Sequence, residues 1–212
     1  MPVADWVTIS ALATAGGTLV LAGATFASVR SANRAARVAE ESLLAAIRPL
    51  LMPSRPGDPA VKVSFADQHH ALAPGGGGTA EVTDDAIYLT MSLRNAGSGI
   101  AVLDGWRLEL AANSTQMESP PLDAFRRLTR DIYVAVGDVA FWQGVYRDAA
   151  EPEFAAVGRR ISARERLIID LLYSDHQGGQ RVISRFSLLP RDDGNWLAVV
   201  ARHWNVDRPD PR

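Results

Sequence analysis

The chain has 212 residues, 47% apolar and 22% charged, with a formal net charge of −2 and no cysteine. That length holds one ordinary domain plus an accessory segment, and the balance is that of a folded chain, not a disordered one. The near-neutral charge argues against nucleic acid as a partner, and the missing cysteines exclude disulfides, thiolate nucleophiles and cysteine-based zinc sites.

The first element is "WVTISALATAGGTLVLAGATFASV", Trp6 to Val29, which contains no charged side chain. As a helix rising ~1.5 Å per residue it reaches ~36 Å, enough to cross a ~30 Å hydrocarbon core. The expected partner of residues 6–29 is therefore the lipid bilayer. Ala11, Ala15, Thr18, Ala22 and Thr25 recur at three- and four-residue steps, a small-residue face through which two such helices could self-associate. Arg30, Arg34 and Arg37 follow the stretch, whereas only Asp5 and the terminal amine precede it. Positive residues stay cytoplasmic, so the expected topology is a single-pass plasma-membrane protein with the amino terminus outside and the rest inside. The alternative is cleavage near Ala22-Gly23-Ala24, giving a secreted or envelope-facing product. The segment lacks the basic n-region and short apolar core of a signal peptide.

From Ser31 to Ile47, "SANRAARVAEESLLAAI" has good helix formers and neither glycine nor proline. Ala36, Leu43 and Leu50 make a thin apolar stripe opposed by Arg34, Arg37, Glu40 and Glu41. This reads as an amphipathic stalk helix over residues 30–48, closed by Pro49.

Beyond it the period changes from helical to alternating. "LAPGGGGTAEVTDD", Leu72 to Asp85, reads as a flexible glycine-rich loop. "IYLTMSL" then sets Ile87, Leu89, Met91 and Leu93 on one face and Tyr88, Thr90 and Ser92 on the other, a half-buried strand. Ile100 to Leu110 resumes the alternation, with a bulge or bend expected at Asp104-Gly105. "RLIIDLLY" and "RVISRFSLL" are joined by "DHQGGQ" as one hairpin, and Asp192 to Asn195 leads into "WLAVVARHW" as a second. Shorter strands are expected at Val61–Phe65 and Ile132–Val136, and a short helix at Glu151–Arg160. No βαβ rhythm appears, so the expected fold is mainly β, an antiparallel sandwich or barrel over residues 49–206 with one or two short helices. The polar tail 207–212 contains Pro209 and Pro211 and reads as extended.

Between the two central strands lies "LRNAGSGIAV", Leu93 to Val102. Its glycines lack the spacing and lysine of a Walker loop, and they run into a strand where a dinucleotide fingerprint needs a helix. Asn95, Gly97 and Gly99 are turn formers, and the stretch reads as a strand connection. The histidines, His69, His70, His176 and His203, form no zinc-ligand motif. Asp175 and His176 could orient an imidazole for base work, but no G-x-S-x-G elbow supplies a nucleophile, and turn hydrogen bonding is the plainer reading. "FRRLTRD" offers Arg126, Arg127 and Arg130 for an anion or a partner, although Asp123 and Asp131 flank them. Phe141, Trp142 and Tyr146 in "VAFWQGVY" read as core aromatics. Neither a cofactor nor a metal is expected.

The charge-free span, the Ala/Arg/Glu-rich helix, "IRPLL", "LRNAGSG", "LLYSDHQGGQRVISRFSLLP" and "HWNVDRP" together resemble uncharacterised membrane-anchored proteins of high-GC Gram-positive, actinobacterial type. Strand–"NAGSG"–strand is also similar to bacterial immunoglobulin-like sandwiches. The resemblance implies an architecture and no activity. The expected function is a membrane-anchored, non-enzymatic binding or scaffold protein that presents a cytoplasmic β-sandwich to a protein partner or a membrane-proximal ligand. The alternatives are an outward-facing envelope module and a hydrolase or transferase using Asp175 and His176.

Overall fold

The computed structural model describes residues 3–110 and 118–207. Residues 208–212 of the expected tail lie outside that range. The chain divides into two compact units, residues 1–45 and 46–212.

The first unit is helix α1 (Val3–Ala46), unbroken through the boundary expected between span and stalk. No proline falls between Val3 and Ala46, and the helix runs through the Gly16-Gly17 pair and Gly23 without a break. It is long and apolar enough to cross a membrane, with a mean hydropathy of 1.6 in its most apolar window. Ser10, Thr14 and Thr18 donate their hydroxyls to the carbonyls of Val7, Ser10 and Thr14, so these polar groups are satisfied inside the helix.

The second unit is a mainly antiparallel β domain. Its strands are β1 (Leu51–Pro53), β2 (Val61–Ser64), β3 (His70–Ala73), β4 (Gly77–Val82), β5 (Ile87–Asn95), β6 (Ala101–Glu109), β7 (Arg126–Val134), β8 (Val139–Tyr146), β9 (Leu167–Asp175), β10 (Val182–Pro190) and β11 (Trp196–Asn205). One short helix, α2 (Phe154–Ser162), lies between β8 and β9. Nine strands form one sheet, β1-β5-β4-β11-β10-β9-β6-β7, with β8 also paired to β5 and β2–β3 a separate hairpin. Both expected hairpins, β9–β10 and β10–β11, are present, and the register shifts at Leu103/Gly105 where the bulge was expected.

The sheet differs from two separate layers. A four-strand half (β1, β4, β5, β8) and a five-strand half (β6, β7, β9, β10, β11) are joined by only two residue pairs, Trp196–Gly78 and Leu197–Gly77. The sheet curls into a half-barrel, and its end strands β7 and β8 meet through side chains, as in the Arg130–Gln143 hydrogen bond of 3.1 Å.

The bridging strand β4 is the stretch read above as a flexible loop. Its glycines permit close backbone approach: a Cβ on Gly78 would overlap the Thr90 carbonyl. β5 is also buried on both faces, where one solvated face was expected. Ile87, Leu89, Met91 and Leu93 face the main core with Trp142 and Phe186. On the other side the β2–β3 hairpin brings Val63, Phe65, Ala71 and Ala73 against Tyr88. α2 closes part of the main core through Val157 and Ile161, four residues apart on one helix face. It ends with Arg164 in the left-handed region (φ 53°), where Glu165 N–H reaches the Arg160 carbonyl at 2.9 Å.

Candidate functional site

The "NAGSG" segment is a structural clamp. Asn95 is fully buried and uses every polar position: Nδ2 donates to the carbonyls of Gly99 (2.6 Å) and Val134 (3.0 Å), and Oδ1 accepts from Leu50 N (3.2 Å) and Gly97 N (2.9 Å). Ser98 N and Ala96 N bond the carbonyls of Arg48 and Leu50, so this loop grips residues 47–50, the first segment of the domain. A side chain at Gly99 would overlap the Ile47 carbonyl. The strand connection is as expected, and holding this segment is its added work.

The three arginines of "FRRLTRD" are not one cluster. They lie on β7, whose alternation sends Arg126 and Arg130 to one face and Arg127 to the other. Arg126 bonds Glu151 (2.5 Å) and Glu153 (3.2 Å) and lies over the Tyr146 ring at 4.5 Å. Arg130 lies over Phe141 at 5.2 Å and bonds Gln143. Both are committed to closing the β7–β8 seam. Trp142 and Tyr146 are core residues, edge-on to Trp106 at 5.4 Å.

Asp175 and His176 do not form a dyad. Asp175 is 1% exposed, and its carboxylate accepts from Gln177 N (2.8 Å), Gly179 N (3.2 Å) and the Gln180 amide (3.4 Å). It organises the β9–β10 turn, while His176 is exposed. The Ser–His contact that does exist is elsewhere: Ser184 Oγ lies 2.6 Å from His203 Nδ1 and 2.8 Å from the Tyr173 hydroxyl, which accepts from Leu51 N. Ser184 is 0% exposed, so no substrate reaches it, and the relay ties β1, β9, β10 and β11 together. Burial pushes the Tyr173 hydroxyl up to about 12.

On the opposite face of these strands, Asp170 is wholly buried and accepts from Arg185 Nε (2.7 Å), Arg185 Nη2 (2.8 Å) and Arg107 Nε (3.1 Å). Arg107 also bonds Glu109, and Arg185 lies over Trp204 at 5.0 Å. A second polar group surrounds Asp67, which accepts from the Tyr88 hydroxyl (2.9 Å) and Arg147 Nε (3.2 Å), while His69 stacks on Tyr88 at 3.8 Å. Desolvation opposes ionisation of Asp67, yet the bonds from Tyr88, His69 N–H and Arg147 hold its carboxyl below the usual range. Desolvation and the bond to Asp67 push the Tyr88 phenol up.

A surface groove of about 570 Å³ lies beside Asp104 and Arg127. Leu122, Phe125, Leu128 and Leu172 give it an apolar wall, and Asp104, Arg127, Asp131, Ser174 and Arg181 its polar one. Partial desolvation raises the Asp104 carboxyl above its ordinary value, against a hydrogen bond from Ser174 and the charge of Arg181. Arg181 is itself held by Asp207 at 2.6 Å. Arg127 is thus the one member of the expected trio that reaches a concave surface. Sequence reading missed the groove because its residues come from β6, the turn before β7, β7, β9 and the β9–β10 connection; the Asp104-Gly105 bulge was a local sign of it. Among the described residues no cluster of His, Asp and Glu could hold a metal ion. No protein-family model matches this chain, and no curated protein matches it.

Proposed function

We propose that this chain is a single-pass membrane protein that holds a cytoplasmic, non-enzymatic β domain near the bilayer for a protein partner. The observation that carries the reading is the bare apolar surface of α1: Trp6, Leu12, Leu19, Val20 and Phe26 are each 69–76% exposed. Water does not tolerate a continuous apolar surface of that length, whereas a bilayer does. Arg30, Arg34 and Arg37 at its carboxyl-terminal side support the inward orientation. Tethering then raises the effective concentration of the domain for membrane partners. The groove bounded by Leu122, Phe125 and Arg127 is the proposed contact surface, since an apolar wall with a polar rim suits a peptide segment. Kinship with immunoglobulin-like sandwiches belongs to the same proposal, supported by two sheet halves whose strand pairing is limited to Trp196–Gly78 and Leu197–Gly77.

The test is extraction of the full chain from isolated membranes. It stays in the pellet after alkaline carbonate, and deletion of residues 6–29 releases the β domain to the supernatant. Release of the intact chain by carbonate contradicts the reading. A photocrosslinker in place of Leu122 then yields a discrete adduct in membranes that Phe125→Glu abolishes.

A further inference from the structure

We propose that Arg30, Arg34 and Arg37 form a site for the phosphate of anionic phospholipid headgroups, at the end of the apolar part of α1. The inference rests on the membrane reading of residues 6–29. With 3.6 residues per turn, these three positions fall within ~60° of arc on the helix surface. Together with Phe26, Val29 and Asn33 they line one shared depression. Phe26 and Val29 are the last large apolar residues before the first arginine and are 69% and 53% exposed. One end of the depression therefore offers apolar contact and the other a row of guanidinium groups. That is the order in which a phospholipid presents its acyl chains and its phosphate.

The three guanidinium groups are also uncommitted. Arg107, Arg126, Arg147, Arg160, Arg181, Arg185 and Arg191 all have carboxylate partners. Among the described residues, no ion pair involves Arg30, Arg34 or Arg37. The nearest acids along the helix, Glu40 and Glu41, come after the arginines, so the helix is cationic beside the apolar stretch and anionic further on. Guanidinium groups bind phosphate through paired N–H donors, which a topology signal alone does not require.

The experiment uses the full chain in neutral detergent, titrated in native mass spectrometry with phosphatidylglycerol, with phosphatidylcholine of the same acyl chains, and with inorganic phosphate. The expected result is a preference of about tenfold for phosphatidylglycerol that falls as salt rises. Replacing Arg30, Arg34 and Arg37 by Gln removes the preference. A second variant, R34Q/R37Q/A32R/A35R, keeps the charge but spreads it around the helix, and it too loses the preference. Full retention by either variant overturns the site. Displacement of the lipid by an equal concentration of inorganic phosphate overturns the lipid assignment. Carbonate extraction separates the two readings. A chain that resists carbonate but shows no lipid preference sinks this inference alone, and a chain released by carbonate sinks the membrane reading beneath it.

Discussion

Three donors from two arginines converge on Asp170, which has no contact with solvent, and the neighbouring Arg185 side chain is only 6% exposed. Asp170→Asn leaves the buried Arg185 guanidinium without its anion and Arg107 with Glu109 alone, which should cost about 3–5 kcal/mol of unfolding free energy. Denaturant unfolding of the full chain in detergent, followed through tryptophan fluorescence, checks this. The paired substitutions at the β9–β10 turn separate scaffold from chemistry. Asp175→Ala strands the amides of Gln177 and Gly179 and should cost about 1–3 kcal/mol. His176→Ala, on an exposed side chain, should stay within about 0.5 kcal/mol of the parent. Tyr173 sets an alkaline limit on stability. Its phenol keeps its proton in the folded domain up to about 12, whereas an unfolded tyrosine releases it near ~10. The folded state thus binds the proton more tightly in that window. The Tyr173 contribution is complete below pH ~10 and is lost as pH rises toward 12. A pH series of unfolding midpoints should show that decline, shallower in Tyr173→Phe. At this scale the sequence was legible only where chemistry is local. Asp175 and His176 are neighbours in the chain, and the Asp175 carboxylate bonds the amides of the turn that follows it. Arg126, Arg127 and Arg130 are also neighbours, but strand alternation sends them to different faces, and their partners lie on β8 and before α2.

Hairpins and bulges are fixed by short-range turn chemistry, which is why β9–β10, β10–β11 and the Asp104-Gly105 irregularity could all be read in advance. β4 could not, because its glycines carry a loop signal while their role is to let two backbones approach. The second buried face of β5 was hidden for a related reason: Tyr88, Thr90 and Ser92 look like a solvated face until the β2–β3 hairpin covers Tyr88 and hydroxyl bonds with Thr79 and Ser54 engage Thr90 and Ser92. The "NAGSG" element shows both sides of this, since its turn residues announce a strand connection but not its grip on residues 47–50. Gly99→Ala drives a methyl group into the Ile47 carbonyl and should destabilise the domain by about 1–3 kcal/mol. Gly57→Ala is the contrasting case: a Cβ there meets nothing within 4 Å and the backbone is not left-handed. It should be neutral or stabilise by up to about 1 kcal/mol. Thermal unfolding of the two variants beside the parent decides the comparison.

The whole molecule carries an exposed apolar helix and a β domain whose strong polar side chains are mostly spent on its own closure. Arg126, Arg130, Asp170, Asp175 and Ser184 all hold strands or turns together. That leaves the groove at Arg127 and the arginine row after Val29 as the surfaces with chemistry to offer. The central claim, a bilayer-anchored domain facing the cytoplasm, is tested most directly by topology reporters fused after Arg212 in living cells. A fluorescent protein that matures only inside should be bright, and alkaline phosphatase, active only outside, should be silent. Active phosphatase with a dark fluorescent fusion would contradict the account and place the β domain on the outer side of the membrane.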